Sequence, residues 1–181
     1  MRLFLAASVP ENISKEISNL LVPFKNDYPD YRWVQEENYH LTIFFLGERE
    51  EAKKSDIVEG IEQIVFDIPS TIISAHKLKV FVNGSELTIY IEMYKNRQFD
   101  IVEKRISQAI SNQTSPRKKY IPHLTIARCK LPSKQQYFHL KKKLERTKID
   151  IEFLVNQIHL YQSFPGSSYP EYKILHSFKL H

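Results

Sequence analysis

Two tetrapeptides carry the chemistry open to this sequence. His40-Leu41-Thr42-Ile43 recurs as His123-Leu124-Thr125-Ile126, 83 positions later (123 minus 40). In a β-strand successive side chains point to opposite faces. His40 and Thr42 would then share one face, with Leu41 and Ile43 on the other, and the second copy would repeat the arrangement. Each strand would anchor by its apolar face and present an imidazole beside a hydroxyl. Two such strands facing each other make a symmetric site. Imidazole titrates near neutrality, so one copy can be protonated while the other is neutral. That pairing suits phosphoester hydrolysis. A neutral imidazole takes a proton from water, and an imidazolium gives one to the departing alkoxide. The threonine hydroxyls can donate to the non-bridging oxygens, whose charge grows in the transition state. If those donors suffice, neither a metal nor a cofactor is required.

A single His-x-Thr on a strand is common and usually structural. Its duplication in matching halves of the chain turns the reading toward function. Zinc is the main chemical rival. Yet neither copy has a second ligand at helix spacing, and there is no His-Glu-x-x-His and no Cys-x-x-Cys. Cys129 follows the second motif and reads as a packed, inert thiol rather than a nucleophile. The chain has four glycines and no glycine cluster, which excludes phosphate-cradling and dinucleotide-binding loops.

The bulk properties fit this picture. The 181 residues suit one compact domain or two small lobes sharing a core. Net charge is +5 (26 basic minus 21 acidic) and the pI is about 9.1, which favours an anionic partner such as nucleic acid. Basic runs at Arg117-Lys118-Lys119 and Lys141-Lys142-Lys143, each taken alone, read as solvated surface. Arg2 and the apolar stretch after it mimic a signal peptide, but Pro10 and Glu11 follow at once, so a buried first strand is expected. One cysteine allows no internal disulfide and points to the cytoplasm. No run approaches the roughly 20 apolar residues of a membrane span.

The motifs need elements to position them. A strand over 2–9 leads to a helix with Ile13, Ile17, Leu20, Leu21 and Phe24 inward, ended by Pro23 and Pro29. Short strands are expected at 31–34 and 40–46, the second closed by Gly47. A helix carries Ala52, Ile57, Ile61, Ile64 and Val65 and stops at Pro69. Strands over 71–82 and 86–93 flank Asn83-Gly84, a hairpin signal for a type I′ turn. A third helix over 97–111 turns Val102, Ile106, Ala109 and Ile110 inward. After a polar loop over 112–119 come a strand over 123–128, a helix over 133–146, and long strands over 149–161 and 172–180. The order predicts an α+β fold with mostly antiparallel pairing.

These residues resemble a known family. The paired motifs, Arg32-Trp33-Val34 before the first, Phe45-Leu46-Gly47 after it, Pro122 before the second and Ala127-Arg128 after it are similar to the two-histidine phosphoesterase superfamily. Within it the match is to the bacterial and archaeal RNA 2′,3′-cyclic phosphodiesterases, long called 2′-5′ RNA ligases. Leu160-Tyr161-Gln162-Ser163 and Tyr172-Lys173-Ile174-Leu175 extend the resemblance to the whole chain. It implies a single domain over 1–181: a two-lobed, pseudo-symmetric α+β fold, its antiparallel sheets lining a central cleft and its helices outside. One lobe would hold both chain ends. It also implies that His40 is the general acid at the leaving O3′, His123 the general base on water, and Thr42 and Thr125 the holders of the phosphate oxygens. The substrate would be an RNA end or small nucleotide bearing a 2′,3′-cyclic phosphate, the product a 2′-phosphomonoester, and the protein a cytoplasmic monomer with no membrane partner. A non-hydrolytic nucleotide binder and a 2′-5′ RNA ligase are the rival functions on the same fold.

Phe45 and Arg128 occupy matching places, five residues after each histidine. By resemblance the aromatic ring would stack on a nucleobase and the guanidinium would grip phosphate. Strict alternation objects, because an odd offset puts each on the face opposite its histidine. A bulge would be needed to turn them into the cleft. Trp33 is expected in the core.

Overall fold

A computed structural model describes residues 1–110, 120–164, 166 and 170–181, with only the backbone of Ile110. The polar loop over 112–119, with its basic run at 117–119, lies outside the described residues, as does the side chain of Ile110.

The chain opens with β1 (Arg2–Ser8) and α1 (Glu11–Asp27), followed by β2 (Arg32–Trp33) and β3 (His40–Glu48). Helix α2 (Lys54–Val65) leads to β4 (Thr71–Asn83), β5 (Glu86–Met93) and α3 (Arg97–Ile110). Then come β6 (His123–Lys130), α4 (Lys134–Arg146), β7 (Glu152–Val155), β8 (Gln157–Phe164) and β9 (Glu171–Lys179). The strands form a four-stranded sheet, order β3-β1-β8-β9, and a five-stranded sheet, order β2-β6-β5-β4-β7. Every pairing is antiparallel. The first and last strands both belong to the four-stranded sheet, as the resemblance implied.

Each motif strand sends its apolar residues into one shared core. Leu41 and Ile43 of β3 and Leu124 and Ile126 of β6 are buried in the same cluster as Leu3, Leu5, Ile17, Leu21 and Val102. Burying one such side chain contributes about 1.5–3 kcal/mol, so these residues fix the register of the motif strands. The opposite face of the four-stranded sheet carries a smaller cluster of Phe4, Ala6 and Tyr161, with Tyr172 against it. Helix α4 starts on a capping box: Ser133 Oγ accepts from the Gln136 backbone N–H, and the Gln136 side chain accepts from the Ser133 N–H.

Several expectations need correction. Pro23 does not end α1, which runs through it to Asp27. Proline removes one hydrogen bond, but Phe24 packs at 2% exposure and Lys143 Nζ donates to the Pro23 carbonyl, holding the last turn in place. The β4–β5 turn centres on Gly84-Ser85, because Asn83 pairs with Glu86. Of these two turn residues only Gly84 has positive φ (59°), which matches the II′ pattern with glycine first rather than type I′. Gly47 (φ 75°) lies within β3 rather than after it. Ala109 is exposed, and Phe99 takes the inward place at the start of α3. The single strand expected over 149–161 is two strands in different sheets: β7 pairs with β4 and β8 with β1. The switch falls at Asn156, whose carbonyl accepts from the Leu180 N–H at 2.8 Å.

Candidate active site

Strands β3 and β6 carry the same irregularity. Strand β1 pairs Leu5 with Phe44 and Ala6 with Thr42, passing over Ile43. Strand β5 pairs Ile89 with Ala127 and Tyr90 with Thr125, passing over Ile126. Each is a β-bulge, which adds one residue and shifts the alternation by one. Consequently Phe45 lies on the face of His40 and Thr42, and Arg128 on the face of His123 and Thr125. Burial follows: Ile43 and Phe44 are both buried and Phe45 is 68% exposed, while Ile126 and Ala127 are both buried and Arg128 is exposed.

The two histidines are held alike. His40 Nδ1 lies 2.8 Å from the Asn38 carbonyl, and His123 Nδ1 lies 3.0 Å from the Ile121 carbonyl. A carbonyl only accepts, so each Nδ1 carries the hydrogen. That leaves each Nε2 as the ring nitrogen with a lone pair open to a proton. Burial pulls the His40 pKa below its ordinary 6.5; the Asn38 carbonyl opposes this, and the His123 charge adds to the lowering. The two imidazoles are therefore within electrostatic reach of one another.

Aromatic rings enclose His40. Phe4 and Tyr172 each lie 5.1 Å from its ring, Tyr172 edge-on, and Tyr161 lies 6.2 Å away. Burial raises Tyr161 to about 12, so its hydroxyl stays protonated at neutral pH. On the other side Tyr90 meets His123 edge-on at 5.5 Å. Thr42 and Thr125 are partly exposed, and their hydroxyls have no hydrogen-bond partner among the described residues. The Thr42 carbonyl accepts from Tyr120 Oη at 3.1 Å, tying the segment before β6 to β3.

Arg128 is not isolated. Its Nη1 donates to Glu86 Oε2 and to Thr88 Oγ1, both at 3.2 Å, and Arg32 pairs with the other Glu86 oxygen. A cavity lined by Arg32, Asn38, His40, Thr125, Arg128 and Tyr172, among others, joins the two motif strands. The cavity thus gathers His40, Thr125, Arg128 and Arg32, while Thr42, Phe45 and His123 share the motif faces of β3 and β6 but are not among its lining residues. Among the described residues no three His, Cys, Asp or Glu side chains cluster as metal ligands. Trp33 is buried, as expected, with its indole N–H donating to the Tyr28 carbonyl. Cys129 is buried, and burial pushes its thiol pKa up, away from a nucleophile's range. Lys143 pairs with Asp27 and sits 4.7 Å over the Phe24 ring, so that cation fastens α4 to α1.

Some of these residues carried no visible sequence signal. Glu86 and Tyr90 reach the site only through the β5–β6 register. His159, on the His40 face opposite Ala6, is also new. It is 7% exposed, its Nε2 3.2 Å from Ser8 Oγ and its Nδ1 2.8 Å from Ser177 Oγ. Arg32 and Tyr172 stood in the resemblance without a role.

Comparison with known proteins identifies a family and a shared fold. The model of the 2′-5′ RNA ligase superfamily matches residues 9–163. The RNA 2′,3′-cyclic phosphodiesterase of Methanocaldococcus jannaschii is 34% identical, over 97% of this chain and 98% of its own. That of Thermotoga maritima is 29% identical, over 97% and 94%. Among solved structures, TT0787 of Thermus thermophilus superposes with a TM-score of 0.75 at 22% identity, covering 99% of this chain and 98% of its own. Escherichia coli LigT complexed with 3′-AMP gives 0.72 at 17% identity, over 99% and 97%. The two-sheet α+β fold is shared with these structures, and the chain belongs to the 2′-5′ RNA ligase superfamily.

Proposed function

We propose that this chain is an RNA 2′,3′-cyclic phosphodiesterase, opening terminal cyclic phosphates to 2′-phosphomonoesters. The observation that carries this is the matched pair of histidines, each with Nδ1 engaged by a backbone carbonyl and Nε2 left to exchange a proton. His123 Nε2 takes a proton from water, whose oxygen attacks phosphorus. The P–O3′ bond breaks, and His40 Nε2 returns a proton to O3′. Burial on its own favours neutral His40. A negative phosphate beside it favours the imidazolium and so supplies the acid. Thr42 and Thr125 donate to the non-bridging oxygens. Arg128 pairs with the phosphate, and Phe45 stacks on the terminal base. No cofactor or metal enters this scheme. The protein works as one two-lobed domain, a monomer in the cytoplasm. No described helix is long and apolar enough to cross a membrane.

The test is turnover of an oligoribonucleotide ending in a 2′,3′-cyclic phosphate, with excess EDTA present. Hydrolysis to the 2′-phosphate is expected to persist. Binding without turnover would make the chain a binding module. Product only in the presence of a 5′-hydroxyl RNA would make it a ligase. Loss of turnover in EDTA, restored by zinc or magnesium, would overturn the metal-free chemistry.

A further inference from the structure

The face that carries His123 and Thr125 does not stop at β6. Thr125 is opposite Tyr90 on β5, and Tyr90 is opposite Lys79 on β4. Arg128 is opposite Thr88, and Thr88 is opposite Phe81. Residues directly opposite across antiparallel strands share a face. A row of side chains therefore runs outward from each motif residue to β4. The rings touch along the way: Tyr90 lies 5.5 Å from His123, and Phe81 lies 5.7 Å from Tyr90. Phe81 is 41% exposed.

One exposed phenylalanine near a hairpin tip is ordinary. This one is joined by ring contacts to the proposed general base, and cations flank it. Lys79 stands beside Tyr90 and pairs with Glu92 at 2.7 Å. Lys77 is opposite Glu92 on the same face, exposed, with no ion pair among the described residues. Arg128 and Arg32 continue the positive charge toward the cleft, with Glu86 between them. An open sheet face with aromatic rings between cations fits single-stranded nucleic acid, whose bases stack while its phosphates meet the cations. A duplex hides its bases from such rings.

We propose that the open face of β4 and β5 is a platform for the single-stranded RNA that precedes the cyclic phosphate, with Phe81 stacking the base of a preceding nucleotide and Lys77 and Lys79 taking backbone phosphates. The proposal rests on the hydrolase reading for which RNA end occupies the cleft. Strands neighbour at about 4.8 Å, so Phe81 stands about 10 Å across the sheet from Arg128, beyond the terminal nucleotide.

The experiment compares two substrates, a cyclic mononucleotide and a single-stranded oligoribonucleotide ending in the same cyclic phosphate. Phe81→Ala should raise KM for the oligonucleotide about 5- to 150-fold, the range for losing one base–aromatic stack, and leave the mononucleotide unchanged. Phe81→Trp should restore the wild-type KM. Lys77→Gln with Lys79→Gln should reduce the salt dependence of oligonucleotide binding. Equal effects on both substrates, or none on the oligonucleotide, overturn the platform. So does an equal dependence on Phe81 when the same end is carried on a blunt duplex. Fluorescence anisotropy of the oligonucleotide, read without turnover, separates the two ideas. Binding that depends on Phe81 with neither substrate hydrolysed keeps the platform and removes the hydrolase. Hydrolysis of both with binding indifferent to Phe81 does the reverse.

Discussion

Ile43 and Ile126 are equivalent bulged residues, each passed over by the partner strand three positions after a motif histidine. Their side chains stay in the core, and the alternation beyond them is reversed. The shift decides which of two adjacent phenylalanines faces the cleft. Phe44 is 6% exposed and Phe45 68%. Phe44→Asp should therefore cost about 3–5 kcal/mol, the penalty of an uncompensated buried charge. Phe45→Asp should cost within about 1 kcal/mol, chiefly its ring contact with Phe4. Urea unfolding of the two variants measures this. Equal losses would mean that β3 has no bulge.

How far the sequence disclosed this arrangement depends on the element. The repeated tetrapeptide located both motif strands and the face of each histidine, because alternation over three residues is rigid. The bulges were not legible, since Ile43-Phe44 and Ile126-Ala127 are apolar pairs that fit either continuous burial or a strand end. The break at Asn156 did leave a trace. Residues of the main core run 151, 153, 155 and then 158, 160, a slip of phase that marks the change of sheet. Pro23 misled because tertiary packing of Phe24 outweighed a local helix breaker. Glu86, Tyr90 and His159 were out of reach, since strand pairing alone brings them to the site.

One buried histidine, His159, and one half-buried histidine, His40, should make the fold acid-sensitive. Burial lowers the pKa of His159 below 6.5, and it is the largest influence lowering His40 too. The unfolded chain then binds protons at a higher pH than the folded one. Their contribution to stability is complete above about 6.5 and is lost as pH falls through the lowered folded values. Urea midpoints should fall between about pH 7.5 and about pH 5.5, a window above most carboxylate titration. His159→Asn, which does not titrate, should flatten that fall. An equally steep fall in the variant would assign the acid sensitivity elsewhere.

Arg128 should govern affinity for the anion, and Glu86 should temper it. Glu86 offers one oxygen to each of Arg32 and Arg128. Arg128→Ala should weaken binding of a nucleoside 2′-phosphate by roughly tenfold or more, as loss of a hydrogen bond to a charged group does. Arg128→Lys should rescue only part, because it keeps the charge and loses the planar fork. Glu86→Gln preserves shape and removes the competing charge, so it should tighten the same ligand. Calorimetric titration reads all three. Weaker binding in Glu86→Gln would show that the carboxylate aims the guanidinium more than it screens it.

The division of labour between the histidines is the most demanding test. His40→Ala and His123→Ala should each cut turnover by roughly two to four orders of magnitude, the usual range for a positioned general acid or base. The double variant should lose much less than the product of the two, because the pair acts as a unit. The wild-type pH–rate profile should be bell-shaped, with both limbs belonging to the coupled pair. The matched Nδ1 bonds make the two imidazoles alike in tautomer, so geometry does not say which is the acid. A substrate with a good leaving group at O3′ does. Such a group departs without a proton, so it should rescue His40→Ala and not His123→Ala. Rescue of His123→Ala instead would exchange the roles and keep the mechanism. That result would fit the burial that holds His40 toward its neutral, proton-accepting form. Full activity in either single variant would make the paired motif structural and end the acid–base reading.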